Sequence, residues 1–348
     1  MTTIRDIAER AGVSVATVSR ASSHPHLLRP KTLERVRQAI ADLDYSPNAI
    51  ARHLRRRRSE TVIVIVPQIE NPFFSTIVQG IENIAHANGF RVLLGETQHN
   101  QARLDHYAAM VSARAGDGLI LLGSLLPTAV KANLDGDRPP LLPLVLACER
   151  FDGLQCPHVA IDNVAAARLA VEHLVEQGCR RIATIMGPAS NTLGHDRLRG
   201  YQLALEQAGL RFDPELVVEG DFSIDAGYAA AARLLAEPLR LDGLFCANDE
   251  MAIGAQQAIR QAGLRMPEDI AVIGFDDIRF ARYADPPLST IRQPMSAIGE
   301  TAMRLMIQLL EERPSAEREL ILPHELIVRG SSQRKSATAA RKPARRAS

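Results

Sequence analysis

The sequence predicts an α/β protein: an N-terminal helix-turn-helix headpiece of three helices with a hinge, then two doubly wound α/β lobes. Three observations carry that prediction. Apolar positions fall at helical spacing through the first 45 residues, broken at Gly12 and again before Pro30. From Thr61 onward, short continuous apolar runs alternate with amphipathic stretches, the texture of parallel strands joined by helices. The alternation lasts for about 270 residues, more than one core comfortably serves, so two similar lobes with a cleft between them are the simplest arrangement.

In the headpiece, Ile4, Ile7, Ala8 and Ala11 share one helical face, and Gly12 supplies the positive φ that a sharp interhelical turn needs. Ser14 is a natural N-cap for a second short helix over 15–21, whose Val18 faces back toward Ile7. This geometry lets one short helix lie in the major groove of DNA while its neighbour braces against the backbone. A third stripe, Leu33, Val36, Ile40 and Leu43, begins after Pro30 at a first-turn position and ends near Tyr45-Ser46-Pro47. The segment 48–54 has the length of one more short helix, too short to stand alone, and Arg55 to Arg58 repel one another and keep the link extended. The headpiece is therefore assigned to 1–47, and a further short helix with a basic linker to 48–60.

Residues 62–66 read as a strand buried on both faces, and a helix follows through Phe74, Ile77, Val78, Ile81, Ile84 and Ala85 to Gly89. A strand at 91–94, a helix to about Arg114, and strands at 118–122 and 144–147 come next. A helix from 164 closes at Gly178, ahead of a strand at 182–185. Helices near 197–209, 225–236 and 249–262 follow, each with a strand after it, the last at 271–274. Ligands in such sheets bind beyond the carboxyl ends of strands, so residues just after strands are the candidates. The tail, 331–348, is mostly Ala, Ser, Lys, Arg and Pro without apolar periodicity and reads as disordered.

Composition narrows the function classes. At 348 residues, 46% hydrophobic and 23% charged, the chain has the mix of two or three globular domains. It contains no run of eighteen apolar residues, and a polar, charged start predicts no secretory signal, so a cytoplasmic location is expected. Cys148, Cys156, Cys179 and Cys246 are scattered without a C-x-x-C pair and read as reduced thiols. The net charge of +1 hides an asymmetry: residues 1–60 hold twelve Lys/Arg against six Asp/Glu, and 331–348 hold six Lys/Arg and no acid. Basic ends on an acidic body suit a chain that meets a polyanion at one end, although any soluble protein segregates some charge.

Seven motifs in order are similar to those of LacI/GalR-family transcription regulators over essentially residues 1–330. They are T-I-R-D-I-A-E-R-A-G-V-S-V-A-T-V-S-R at 3–20, Y-S-P-N-A-I-A-R-H-L at 45–54, N-P-F-F-S-T-I-V-Q-G-I-E at 71–82 and D-G-L-I-L-L-G-S at 117–124. A-N-D-E-M-A-I-G-A at 247–255, P-E-D-I-A-V-I-G-F-D-D at 267–277 and P-P-L-S-T-I-R-Q-P at 286–294 complete the set. V-I-V-P followed by N-P-F-F, L-L-G-S-L-L-P, G-D-F and A-C-E-R resemble most the cytidine (nucleoside) regulator branch. The resemblance implies lobes of periplasmic-binding-protein type in an effector-binding and dimerisation core at 61–330, one lobe near 61–162 and 292–330, the other near 163–291.

Carried over by position, the second helix reads base edges through Val15, Ala16 and Arg20. Arg20 can fork onto a guanine, while Val15 and Ala16 offer methyl contacts only, and a core role for Val15 stays open. Thr3, Ser14, Thr17, Ser19, Asn48, Arg52 and Arg55 are expected at phosphates, which fix register without carrying sequence information. The resemblance implies that the stretch from Asn48 folds as a hinge helix on DNA, with Ala51 and Leu54 in the minor groove and Leu54 wedged into a base step. Two headpieces on one two-fold axis would read a pseudo-palindrome, so a homodimer is expected. The chain departs from the family pattern at Ala21-Ser22-Ser23 and His24-Pro25-His26, so operator preference does not carry over.

For the effector the resemblance points into the cleft, to Phe73, Phe74, Ser124 and Glu149 from one lobe and Arg197, Phe222, Asn248 and Asp276 from the other. The phenylalanines would stack on a planar or sugar ring, and Arg197 with Asp276 would hold hydroxyls. A structural role for Asp276, and a core role for one of Phe73 and Phe74, stay open. His195-Asp196 ahead of Arg197 differ from purine-binding relatives, so nucleoside and sugar both stand. The expected partners are a double-stranded DNA operator, a small-molecule effector and a second copy of the chain, with no membrane.

Two other function classes stand beside this one. A sugar- or nucleoside-binding protein without a regulatory role shares the two-lobe fold, but would carry an export signal and no DNA-reading head. An enzyme fits less well, because the sequence holds no Walker A loop, no G-x-G-x-x-G after a strand, no H-E-x-x-H and no G-x-S-x-G. No catalytic residue, metal or cofactor is expected, and Asp276-Asp277 reads as a solvated turn rather than a metal pair.

Overall fold

The computed structural model describes residues 2–23, 27–43, 59–132, 140–151, 153–236, 240–312 and 318–334. The chain divides into two compact units, Met1–Ser59 and Glu60–Ser348.

Three helices form the described part of the first unit: α1 (Ile4–Ala11), α2 (Val15–Ser23) and α3 (Pro30–Asp42). A capping box starts α1, in which the Asp6 amide donates to the Thr3 hydroxyl and the Thr3 amide donates to the Asp6 carboxylate. Gly12 ends it at φ 60°, a left-handed conformation that costs a residue with a Cβ. Arg35 on α3 donates to the carbonyls of Ala11 and Gly12, setting a cation against the negative end of α1. The Ser14 hydroxyl caps α2 by accepting from the Thr17 amide at 3.2 Å. Ile7, Ala8, Ala11, Val18, Val36 and Ala39 make the small core, so Val18 does face Ile7. The second helix runs two residues past its predicted end at Ala21. Asn48, Ala51, Arg52, Leu54, Arg55 and the rest of the expected hinge lie outside the described residues, as do His24–His26.

Among the described residues the second unit contains two six-stranded sheets. The first joins β1 (Thr61–Val66), β2 (Arg91–Glu96), β3 (Gly118–Leu122), β4 (Leu144–Ala147), β5 (His158–Ile161) and β11 (Glu319–Leu322) in the order β2-β1-β3-β4-β5-β11, every pair parallel. The second joins β6 (Ile182–Met186), β7 (Val217–Glu219), β8 (Gly243–Cys246), β9 (Ala271–Asp276), β10 (Ser289–Arg292) and β12 (Glu325–Ile327) in the order β7-β6-β8-β9-β10-β12. Here only β12 runs antiparallel, against β10. The two sheets repeat one winding pattern, and in each the chain reverses direction of growth beside its first strand, the place where doubly wound folds open a ligand crevice. Parallel strands covered on both faces must be apolar throughout, which is why β3, β4, β8 and β9 are buried at every position.

Helices α4 (Pro72–Ala87), α5 (Gln101–Ser112), α6 (Thr128–Lys131) and α11 (Met295–Leu310) accompany the first sheet. The second sheet is packed by α7 (Asn163–Glu176), α8 (Thr192–Gln207), α9 (Ile224–Ala236) and α10 (Asp249–Gln261). Between α4 and α11 the backbones touch at Gly80 and Gly299, where a Cβ on Gly299 would meet the Ile77 carbonyl oxygen at 2.0 Å. Among the described residues the chain passes from one sheet to the other three times, at residue 162, at 293–294 and at 323–324. Among the described residues no helix is long and apolar enough to cross a membrane.

Three expectations need correction. The strand β12 and the residues after it belong with the second sheet, so the expected lobe segment 292–330 is split at 323–324. Ser331–Arg334, expected to begin a disordered tail, are packed: Ser331 Oγ donates to the Val272 carbonyl at 2.7 Å, Ser332 Oγ lies 2.7 Å from His173 Nε2, and the Arg334 guanidinium reaches the Pro267 and Asp242 carbonyls. Hydroxyl and guanidinium bonds to buried backbone hold this segment, and they leave no apolar period in the sequence. The remaining tail, 335–348, lies outside the described residues. Finally, Asp276 and Asp277 are both buried rather than solvated.

The contact at Gly299 generates a stability prediction. Gly299→Ala should force α4 and α11 apart and destabilise the core by about 1–3 kcal/mol. Thermal unfolding should show a lower midpoint, and an unchanged one would contradict the close approach.

Candidate functional site

The headpiece presents one face of α2. Val15 is 37% exposed and Ala16 and Arg20 are exposed with it, while Val18 points into the core. The core role left open for Val15 is therefore not the one it takes. The hydroxyls of Thr3, Ser14 and Thr17 are engaged in the helix caps, with Thr3 Oγ1 donating to Asp6 Oδ2 at 2.9 Å and Ser14 Oγ lying 2.9 Å from Thr17 Oγ1. Ser19 is half-buried and bonded.

In the second unit, all eight residues expected in the cleft line one cavity with about 600 Å³ of empty space, part of it open to solvent. Their origin explains the convergence. Phe73 and Phe74 follow β1, Ser124 follows β3 and Glu149 follows β4. Asn248 follows β8, Asp276 ends β9, and Arg197 comes from the helix after β6. Carboxyl ends of strands from both sheets thus supply the walls. The two phenylalanines meet edge to face with ring centroids 5.2 Å apart; Phe73 is buried and Phe74 partly so, yet both reach the cavity.

Two asparagines missing from the expected set, Asn71 and Asn191, help to build the site together with the expected Asn248. Asn71 and Asn191 line the cavity beside Asn248, and each of the three caps a helix that points its N-terminus there. Asn71 Oδ1 accepts from the Phe73 amide at 2.9 Å, Asn191 Oδ1 from Gly194 at 3.1 Å and Asn248 Oδ1 from Met251 at 3.0 Å. Asn248 Nδ2 also donates to the Phe222 carbonyl at 2.8 Å, holding Phe222 in a left-handed conformation at φ 70°. An asparagine shortly after a strand and just before a helix is a readable signal, and would have found Asn71 and Asn191.

At the polar end, Arg197 and Asp276 face each other with Nη1 3.9 Å from Oδ1, both almost wholly buried. Arg197 Nε donates to Asn163 Oδ1 at 3.0 Å, its Nη1 to the Ala247 carbonyl, and its guanidinium carbon lies 3.8 Å from the Phe275 ring centroid. Gln293 Nε2 donates to Asp276 Oδ1 at 2.7 Å. Asn163 sits at the first crossing between the lobes and Gln293 at the second, so the charged pair in the cavity touches two of the three connections.

The comparisons with known proteins agree with this arrangement. Residues 3–48 match the family described as bacterial regulatory proteins, lacI family, and residues 171–332 match the periplasmic binding protein-like domain. The chain is 40% identical over 331 residues to the HTH-type transcriptional repressor CytR of Escherichia coli (strain K12), covering 95% of this chain and 96% of that protein. This chain belongs to the lacI family. It is 34% identical to the HTH-type transcriptional repressor PurR of Aliivibrio fischeri (strain MJ11), covering 95% and 98% of the two chains. Among solved structures it is similar to the lac repressor dimer bound to operator and the anti-inducer ONPF, with a TM-score of 0.84, 29% identity and coverage of 95% and 99%. As a lacI-family member the protein is a DNA-binding transcriptional regulator.

Burial sets the protonation of this lacI-family cavity. Desolvation pushes Asp276 up to about 7, against the pull of Arg197 and the bond from Gln293, and pulls Arg197 down. Glu149 is raised further, to about 8, again by desolvation, with the Asn191 bond at 3.2 Å and Arg197 opposing it. Its other oxygen, Oε2, is buried without a hydrogen-bond partner among the described residues. Burial also raises the neighbouring Cys148 thiol, which stays protonated and apolar in character.

A pH prediction follows from Glu149. A carboxyl held above its unfolded value of 4.5 binds its proton more tightly when folded, so its contribution falls as pH rises from there through about 8. Glu149→Gln removes that ionisation. Relative to the parent, the ligand-free variant should gain in unfolding midpoint at about pH 8.5 and show little change at about pH 5. An equal pH dependence in both proteins would show that Glu149 is not held neutral.

Proposed function

We propose that this lacI-family regulator is a repressor that binds a pseudo-palindromic operator as a homodimer, with its DNA affinity set by a nucleoside or sugar in the core cavity. One observation carries the reading. Residues from the strand ends of both sheets meet in a single cavity, and its charged pair bonds to two of the segments that join the lobes. A ligand there changes the balance between lobe arrangements by whatever difference in affinity it has for them. Phe73, Phe74 and Phe222 suit a ring face, and Arg197, Asp276, Asn248 and Ser124 suit hydroxyls. Glu149 Oε2, buried and without a partner among the described residues, suits a further ligand hydrogen bond.

At the headpiece, Arg20 reads a base edge and Val15 and Ala16 supply apolar contacts, which fits their place on the exposed face of α2. Thr3, Ser14 and Thr17 lie on or beside the caps of α1 and α2, where backbone amides and hydroxyls suit phosphates, and Ser19 lies one turn further along α2. The repressor role and the dimer rest on the named relatives, CytR, PurR and the operator-bound lac repressor dimer. The site of action is the cytoplasm, where the DNA is, and the protein works by binding rather than by catalysis. A small-molecule-binding protein without a regulatory role accounts for the cavity but not for the headpiece.

Two measurements test this. Arg20→Ala should lose roughly 5- to 150-fold in affinity for a selected operator while non-specific binding changes little. An unchanged specificity ratio in gel-shift titration would remove Arg20 from base reading. In a thermal-shift panel of nucleosides and sugars, a true effector at about a hundred times its dissociation constant should add about 2.7 kcal/mol of stability. Arg197→Ala should abolish that shift; a shift that survives would place the ligand elsewhere.

A further inference from the structure

We infer that Asp277 passes occupancy of the cavity to the strands that join the lobes, acting as a positioning residue that never touches the ligand; the inference rests on the effector reading above. Asp277 is buried but lies outside the cavity lining, whereas its neighbour Asp276 is part of that lining. Each oxygen of Asp277 holds a different arginine. Oδ2 accepts from Arg292 Nε at 2.8 Å, and Oδ1 accepts from Arg329 Nη2 at 2.6 Å. Arg292 also donates through Nη1 to Glu325 Oε2 at 3.2 Å.

The positions of these partners give the clamp its meaning. Arg292 is the last residue of β10, directly before the crossing at 293–294, and Glu325 is the first of β12, directly after the crossing at 323–324. Arg329 follows β12 and also donates to the Leu288 carbonyl at 2.7 Å, just ahead of β10. One carboxylate therefore holds the second-sheet ends of both later crossings. On the cavity side, Asp276 takes the Gln293 amide from the second crossing and stands by Arg197, which grips Asn163 at the first.

The backbone between the two acids is constrained. Asp276 and Asp277 both have positive φ, 117° and 58°, in a region that residues with a Cβ occupy at a cost. The amide of Asp277 is within 3.3 Å of Thr290 Oγ1, and Thr290 Oγ1 donates to the buried Asp249 at 2.6 Å. A displacement of Asp276 by a ligand has little soft backbone to absorb it before it reaches the clamp. The chemistry also requires a carboxylate, because an amide offers one acceptor oxygen and one donor nitrogen and can satisfy only one of two arginines.

The test uses full-length Asp277→Asn, an operator selected from random duplexes, and cytidine and ribose as probes. Without ligand, the variant should exchange amide hydrogens about tenfold faster at 292–293 and 324–327, with β8 and the headpiece unchanged. Probe affinity should stay within about threefold, while the ratio of operator affinities with and without probe should shrink by about fivefold or more. A purely structural clamp would speed exchange and leave that ratio intact, which would overturn the inference. So would unchanged exchange. A wild-type protein that responds to neither probe overturns the effector reading and this inference with it, whereas a responsive wild type with an unaffected variant overturns this inference alone. Should Asp277→Asn not fold, Arg292→Lys keeps a cation on Asp277 but loses the fork to Glu325, and should show the same loss at about half the size.

Discussion

A guanidinium and a carboxylate removed from water are the constraint around which the core is arranged. Burying a charge costs several kcal/mol unless it is paired and its remaining donors and acceptors are met. Arg197 meets that requirement with the Phe275 ring, the Asn163 amide oxygen, the Ala247 carbonyl and Asp276. The four partners come from three elements: Phe275 and Asp276 from the end of β9, Asn163 from the start of α7 and Ala247 from the loop after β8. Keeping Arg197 satisfied therefore fixes the carboxyl ends of these strands against one another. The pair still sits at 3.9 Å, and burial raises Asp276 rather than lowering it. That leaves bonding capacity which a ligand hydroxyl can complete.

The two sheets use the same winding, and this repetition places the site. Both reverse direction of growth next to their first strand, so each presents a crevice at its carboxyl edge. With three chain crossings between the lobes, relative motion is confined to a few residues, and those residues carry the polar contacts: Asn163, Gln293, Arg292 and Glu325. Close backbone contacts, Gly299 against Ile77 in one lobe and Gly200 against Val164 in the other, make each lobe stiff. Stiff lobes on short, hydrogen-bonded connections confine deformation to the crossings.

Parts of this were legible in the residues alone. The central strands were, because a strand covered on both faces is apolar at every position, as Val62 to Val66 are. The late strands were not. Ser289–Arg292, Glu319–Leu322 and Glu325–Ile327 are short, half polar and at or near sheet edges, so neither an unbroken apolar run nor a helical period marks them. Seven of the eight cavity residues were legible through the motifs that carry them, whereas Arg197, inside α8, was placed by the family resemblance alone. Asn163 and Gln293 were not, because their role lies in contacts across 34 and 17 residues of chain. Asp277 looked like a solvated turn acid, since a carboxylate that bonds two arginines from distant segments has no local signature.

What the sequence by itself determined is the kind of molecule: a capped helix-turn-helix with its core on Ile7 and Val18, a run of buried parallel strands, and the motifs of the lacI family. These rest on local rules, such as caps, periodicity and the left-handed turn at Gly12, which act over a few residues. The tertiary structure decided which polar groups lost their water and what they found instead. It raised Glu149 and Asp276, packed Ser331 and Ser332 against the second sheet, and joined Asp277 to Arg292 and Arg329. Desolvation depends on everything that surrounds a group, and neighbours distant in sequence come together only in the folded chain.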